Sequence, residues 1–176
     1  MLEVKSINSQ SEEAENIRKL YKEVYPQMER FPFDLLVDLS EMPHVSLNAV
    51  YDDEELIASS LLIEGEKAVY IAFLAVLPSY RLQGYGTAVI NQIKDTYQDK
   101  YLIFDERSQE DNESASNVRD FFAKNGITST GYLIDAFGDE YEIFSSSKQF
   151  DFVDYLNIFK GAGFNEFNPR IIKQPE

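Results

Sequence analysis

The run Ala68-Val69-Tyr70-Ile71-Ala72-Phe73-Leu74-Ala75-Val76-Leu77 is apolar at nearly every position, and the residues after it limit the folds open to the chain. Such a run reads as a strand covered on both faces. The apolar stretch Val69 to Pro78 is about half of the ~20 residues that a membrane span needs. A loop with two glycines follows, Arg81-Leu82-Gln83-Gly84-Tyr85-Gly86. Ala88, Val89, Ile90, Ile93 and Tyr97 then mark an amphipathic helix, and Tyr101-Leu102-Ile103-Phe104 a second buried strand. Strand, crossover helix, strand implies a parallel pair.

The flanking sequence supplies the rest of a mixed sheet. Val4 to Ile7 alternates as a first strand, and Ser9 with Glu12 has the spacing of a capping box. Ala14, Ile17, Leu20, Tyr21 and Val24 follow at helical spacing up to Pro26, and Asp34 to Leu39 reads as a short second helix. Val45 to Tyr51 and Leu56 to Ile63, separated from each other and from the third run by short polar links, predict an antiparallel meander. Beyond the parallel pair, Asp111 to Ser114 precedes a helix with Ala115, Val118, Phe121 and Phe122 on one face, ended by Asn125-Gly126. Tyr132 to Phe137 and Glu140 to Phe144 form a hairpin around Gly138-Asp139. Asp151 caps a last helix, stopped by Gly161 and Gly163, and the final dozen residues read as irregular. The expectation is an α/β (α+β) fold with a mixed, mostly antiparallel twisted sheet of about seven strands and helices on both faces. Residues 1–148 form the domain, with a C-terminal helix and tail, 149–176, packed on it.

Composition excludes some chemistry. With no cysteine among 176 residues, disulfides, thiolate nucleophiles and zinc-thiolate sites are ruled out. No metal site is expected. Acidic residues outnumber basic ones by 31 to 16, a net charge of -15. That argues against nucleic acid as a partner and is compatible with a cationic substrate as well as with simple solubility. The amino terminus carries no secretory signal pattern, and the cytoplasm is the expected compartment, with no membrane association.

The loop is the first candidate site. Glycines between a strand and a helix let the backbone approach a ligand closely, and the free N–H groups of the helix's first turn suit a pyrophosphate. Arg81 adds a charged fork of donors and Thr87 a hydroxyl. The dinucleotide fingerprint fails because Val89 stands at its third glycine, and the Gly-Lys-Ser/Thr of a Walker loop is absent. Gly84 and Gly86 alone leave a plain strand-to-helix turn open.

The segment Ala72 to Gly86 resembles the GCN5-related N-acetyltransferases, whose signature is an apolar strand, then R/Q-x-x-G-x-G/A, then a helix. Arg81, Gly84 and Gly86 match the three fixed positions. The segments Arg119 to Gly126, Thr130-Gly131-Tyr132 and Tyr141-Glu142-Ile143 are similar to a Gram-positive bacterial subset of that family. The resemblance implies an N-acetyltransferase that uses acetyl-CoA and a primary amine, a small molecule, polyamine-like compound, peptide or lysine, in a ternary complex. It implies that Leu74, Ala75 and Val76 pair with the pantetheine arm as another strand would. The amides of Leu82, Gln83, Gly84, Tyr85, Gly86 and Thr87 take the pyrophosphate. The strands bearing Val76 and Phe104 splay apart, and a backbone N–H near Leu74 to Val76 polarises the thioester carbonyl.

The chain departs from that family in its acid and base. The family's usual tyrosine position holds Phe122, which cannot donate a proton, and its frequent strand glutamate falls at about Tyr70. Asp105 and Glu106 are the replacement candidates for the base, only one of which can point inward from a strand. Tyr132 and Tyr141 are the candidates for protonating the departing thiolate. His44 lies away from the loop. Glu29 or Asp34, in or beside an aromatic and Met-rich segment with Met28 and Phe31, is a candidate to pair with a cationic amine, with ordinary helix-to-helix packing as the alternative. A catalytically silent acyl-CoA-binding domain and an interaction module are the competing readings. Monomer and homodimer are both open.

Overall fold

The computed structural model describes residues 1–25, 32–108 and 113–176. The readings made of Met28, Glu29, Arg30 and Phe31 and of the helix start at Asp111 fall outside these. In chain order the elements are β1 (Leu2–Ile7), α1 (Ala14–Val24), α2 (Phe33–Ser40), β2 (Val45–Asp52), β3 (Glu55–Glu64), β4 (Ala68–Val76), α3 (Tyr85–Thr96), β5 (Tyr101–Arg107), α4 (Glu113–Lys124), β6 (Thr128–Ala136), β7 (Asp139–Ser145), α5 (Phe152–Gly161) and β8 (Arg170–Lys173). They form one sheet in the order β1-β2-β3-β4-β5-β7-β6-β8. Each pairing is antiparallel except β4 with β5, the pair joined by the α3 crossover.

Side-chain alternation splits the interior into two cores. Ala68, Tyr70 and Ile103 face one side with Leu47, Leu61 and Ile143, under α1, α2 and α5. Val69, Ile71, Leu102 and Phe104 face the other with Val50, Leu62 and Ala58, under Val89 and Ile90 of α3 and Phe122 of α4. A period of two along each strand is what a sheet covered on both faces requires. The β6–β7 turn holds Phe137 (φ 56°) and Gly138 (φ 86°) in the left-handed region. Two successive positive values match the primed turns whose twist suits a hairpin.

Helix α5 is fixed by its cap and its apolar face. The Asp151 carboxylate accepts from the Val153 N–H at 2.8 Å. Tyr155, Ile158 and Phe159 enter the first core, and Gly163 at φ 93° turns the chain away from the helix.

Three expectations change and one is extended. The sheet has eight strands because Arg170 to Lys173, read as irregular, adds to β6 as an edge strand. All four of its side chains are exposed, so no alternation in burial marks it. The Ser9 and Glu12 capping box does not form: α1 starts at Ala14 without a side-chain cap, and Ser9 donates to Glu41 Oε1 at 3.1 Å instead. Strand β4 is not covered throughout. Ala72 is exposed, and Phe73, Leu74 and Val76 are only half-buried. Gly86, read as a glycine for ligand approach, also lets α3 pack closely on α4. A Cβ there would meet Phe121 Cε2 of α4 at 2.9 Å.

Candidate functional site

The exposed half of β4 borders a cleft. Pairing between β4 and β5 covers three residues each, Ala68 to Tyr70 opposite Tyr101 to Ile103. Both strands then continue, each with its outer partner only: β4 with β3 as far as Val76 opposite Ala58, β5 with β7 as far as Arg107 opposite Tyr141. The parting coincides with a bulge. Leu61 and Leu62 of β3 face Phe73 and Ile71, so Ala72 is an extra residue on β4. An inserted residue bends and overtwists its strand, here away from β5.

The backbone groups on the open edge follow from the ladder. The Leu77 N–H bonds Ile57 O across β3 at 2.9 Å. Alternate residues, Val76 and Leu74, therefore turn their N–H and C=O groups to the cleft side, and Ala75 turns toward β3. The Val76 carbonyl accepts from Arg81 Nε at 3.1 Å. Arg81 thus reaches back along the cleft mouth with the rest of its guanidinium exposed.

The loop from β4 to α3 is built to present amides. A short 3-10 turn, Pro78–Tyr80, leads into Leu82 at φ 60° and Gly84 at φ 88°. Gly84 caps α3, and a Cβ on it would touch nothing within 4 Å, so glycine is required there for conformation and not for space. The first bond of the helix runs from Ala88 N–H to Gly84 O at 3.0 Å. The N–H groups of Tyr85, Gly86 and Thr87 lie ahead of it, at the positive end of the helix dipole. The Gln83 side chain donates to Ser79 O at 2.8 Å and braces the turn. Tyr85 donates its hydroxyl to Asp52 Oδ2 at 2.7 Å and stacks edge-on against Tyr80, so its side chain anchors the loop and only its amide faces outward. Leu82 is fully exposed, at 106%.

Aromatic rings and two acids form the inner end of the cleft. Phe73, from the open half of β4, packs against Tyr21 and Tyr25 of α1 at 5.5 and 6.0 Å. Burial, then the nearby Glu106 charge, pushes the Tyr25 hydroxyl well above its ordinary range, with Arg81 pulling the other way. Tyr25, Glu106 and Arg81 therefore share one neighbourhood. Asp105, one residue earlier on β5, projects to the face that carries Tyr70 and Tyr155. Its Oδ2 accepts from Tyr70 at 2.9 Å and from Tyr155 at 3.1 Å. Burial raises its pKa to about 6, and the two hydroxyls oppose that rise. Tyr70 occupies the last paired position of β4, so this carboxylate sits at the apex of the splay.

The other candidates are placed apart from this point or otherwise engaged. Tyr141 lies on β7 near Asp105 and Arg107, and burial raises its pKa while Arg107 lowers it. Tyr132 stacks flat on Phe152 at 5.1 Å and meets Phe150 at 5.5 Å, which makes it part of the α5 contact. Asp34 is held by Arg18 at 2.6 Å on the outer side of α1 and α2. His44 is an exposed turn residue at φ 65°. Phe122 is enclosed by Phe104 and Phe144 at 4.8 and 5.1 Å. Glu106 faces Glu142 across the strand pair, and Glu142 lines a groove of about 320 Å³ with Ser108, Ser129, Glu140 and Lys173. Tyr155 contacts the cleft acid Asp105, a placement that sequence reasoning misses. It reads as one of a row of C-terminal aromatics, and nothing in its spacing points across to β5.

A mostly antiparallel sheet whose one parallel pair parts beside a glycine-capped helix start is the architecture of an acetyltransferase of the GNAT type. The chain belongs to that family: the model of the Acetyltransferase (GNAT) family matches residues 12–127. Among curated proteins none matches it in sequence. Solved structures share the fold. A GNAT-family protein from Bacteroides thetaiotaomicron superposes with a TM-score of 0.74 at 16% identity, over 94% of this chain and 98% of that one. A chimeric spermidine N-acetyltransferase from Vibrio cholerae and hSSAT gives 0.63 at 19% identity, over 84% of this chain and 96% of that one. The ribosomal-protein-S18-alanine N-acetyltransferase of Escherichia coli gives 0.62 at 12% identity, over 82% of this chain and 92% of that one. Strands β6 to β8 and helix α5 lie beyond the residues that the family model matches.

Proposed function

We propose that the chain transfers an acetyl group from acetyl-CoA to a primary amine by direct attack within a ternary complex. One observation carries the reading. Strand β4 pairs with β5 only as far as Tyr70 and runs on, apolar and, among the described residues, unpaired on one edge, into a loop that presents helix amides. An extended amide-bearing chain fits the edge of Leu74 and Val76, and a pyrophosphate fits the amides of Leu82 to Thr87 with Arg81 beside them. The family membership and the amine-acetylating names of two structural neighbours support the same chemistry.

In this reading the acceptor arrives as an ammonium and must lose a proton before it attacks. Asp105 takes that proton. The amine nitrogen then bonds to the thioester carbonyl carbon, the carbon–sulfur bond breaks, and the second proton shed by the nitrogen replaces the one that the departing thiolate takes up. Tyr141 is the candidate tyrosine that lies within electrostatic reach of the site. A donated N–H from the open edge of β4 stabilises the oxyanion that forms in between. The net charge of -15 favours cationic acceptors at long range.

Thermal shift with acetyl-CoA and thiol release over an amine panel test this directly. A rise in Tm that grows with acetyl-CoA concentration, together with amine-dependent thiol release, is expected. No shift at saturating acetyl-CoA sinks the proposal. A shift without thiol release for any amine favours the silent acyl-CoA-binding domain, which the phenylalanine at position 122 otherwise recommends.

A further inference from the structure

We propose that helix α5 is part of the acceptor site, with Tyr155 as a positioning residue that holds the Asp105 carboxylate ready for a primary ammonium. This deepens the acetyl-transfer reading and rests on it. Tyr155 comes from beyond the segment that the family model matches, and its side chain is fully buried, at 0% exposure. Its hydroxyl crosses from α5 to β5 and bonds the same oxygen, Oδ2, that Tyr70 bonds from β4. The two rings meet edge-on at 6.0 Å, and Phe159 packs on both at 4.9 and 5.1 Å. The hydroxyls are thereby locked by packing.

The geometry of the carboxylate indicates the ligand. A carboxylate has room for about four donors on its two oxygens. Here both protein donors converge on Oδ2. Asp105 keeps part of its surface exposed, and Oδ1 is not among the buried atoms lacking a partner, so that oxygen opens to accessible space. Among the described residues no lysine, arginine or histidine pairs with Asp105. A carboxylate drawn out of water without a cation is costly, and a cationic ligand relieves that cost. The groups that face it are Tyr70 from β4, Tyr155 from α5 and Tyr141 from β7, with Arg107 close to Tyr141 and paired to Asp139 at 3.1 Å. An acid with one open oxygen and, among the described residues, no cation beside it, with the half-buried Tyr141 near, suits an ammonium, because a ring attracts cations. The ammonium donates one proton to Oδ1, its nitrogen keeps the lone pair for attack, and Asp105 later returns the proton to solvent through the same oxygen. Tyr155 keeps Oδ2 occupied, so the acceptor meets one defined oxygen.

The test is the pH profile of kcat/KM with an amine found active in the panel. Removing one hydroxyl donor by Tyr155→Phe should move the acid limb upward by about one pH unit. Activity should fall about five- to ten-fold near pH 6 and recover to within about two-fold near pH 9, with acetyl-CoA affinity unchanged. Asp105→Asn should lose on the order of 10²-fold or more at every pH while still binding acetyl-CoA. A loss in Tyr155→Phe that is equal at all pH values, or no loss, overturns the role of Tyr155. Should that variant not fold, fluorotyrosine at position 155 keeps the ring and strengthens the donor. The acid limb should then move down, and an unmoved limb overturns the role. Wild-type protein that binds acetyl-CoA but consumes it with no amine overturns the acetyl-transfer reading itself and this inference with it.

Discussion

Ala68 to Ile71 and Ala72 to Val76 are equally apolar as sequence, and they lie in one strand. The first four residues are all buried, between β3 and β5 and between two helical layers. In the second stretch Ala75 is buried, Ala72 is exposed and Phe73, Leu74 and Val76 are half-buried, with β3 on one edge and, among the described residues, no strand on the other. One inserted residue separates the two regimes. The closed half is core, and the open half borders the cleft. An apolar run in a strand therefore does not guarantee cover by the protein's own chain along its whole length.

Charge substitution should expose this difference most sharply. Val69→Asp puts an unpaired carboxylate into the second core and should cost about 3–5 kcal/mol in urea unfolding, enough to leave little folded protein. Ala72→Asp, on exposed backbone, should cost under about 1 kcal/mol. Equal losses would erase the distinction.

The apex of the splay gives the next largest effect. Burial raises Asp105 from 3.8 to about 6, so the folded protein holds that proton more tightly than the unfolded chain. The resulting stabilisation is complete below the unfolded pKa and is lost as pH rises through about 6. Above that, wild type should be less stable than Asp105→Asn by roughly 1–3 kcal/mol, and the gap should narrow toward about pH 4. A pH-independent difference in Tm would refute the assignment. A functional acid held at a cost in stability is the expected trade.

The loop should separate binding from folding. Gly84→Asp forces a side chain onto a left-handed backbone and sets a negative charge beside the amides. It should weaken acetyl-CoA binding more than about ten-fold by calorimetry. Arg81→Ala should weaken it to a similar extent. Unchanged affinity in both folded variants would remove the loop from the site. The smallest effect belongs to Tyr85→Phe, which loses the bond to Asp52. It should cost about 1 kcal/mol of stability and change acetyl-CoA affinity by less than about two-fold.

Much of this is legible in the residues. Apolar spacing marks each helix, and alternation or a continuous apolar run marks seven of the eight strands, because each buries one face or both. Strand β8 buries none of its four side chains and leaves no such mark. Arg81, Gly84 and Gly86 point to the loop, and Gly86 also answers to Phe121 of α4. Asp105 and Glu106 are adjacent candidates of equal standing in the chain. Their separation requires knowing which face of β5 meets α5.

The sequence alone determined the element order, the crossover, the apolar strand before the loop and the absence of cysteine chemistry. These depend on local spacing and on residue type. Only the tertiary structure decided where β4 parts from β5, that Tyr132 belongs to the α5 contact, and that Tyr70 and Tyr155 converge on one oxygen of Asp105. The two tyrosines stand 35 and 50 positions from Asp105 in the chain. Contacts at that range are set by sheet register and helix packing, and no local pattern encodes them.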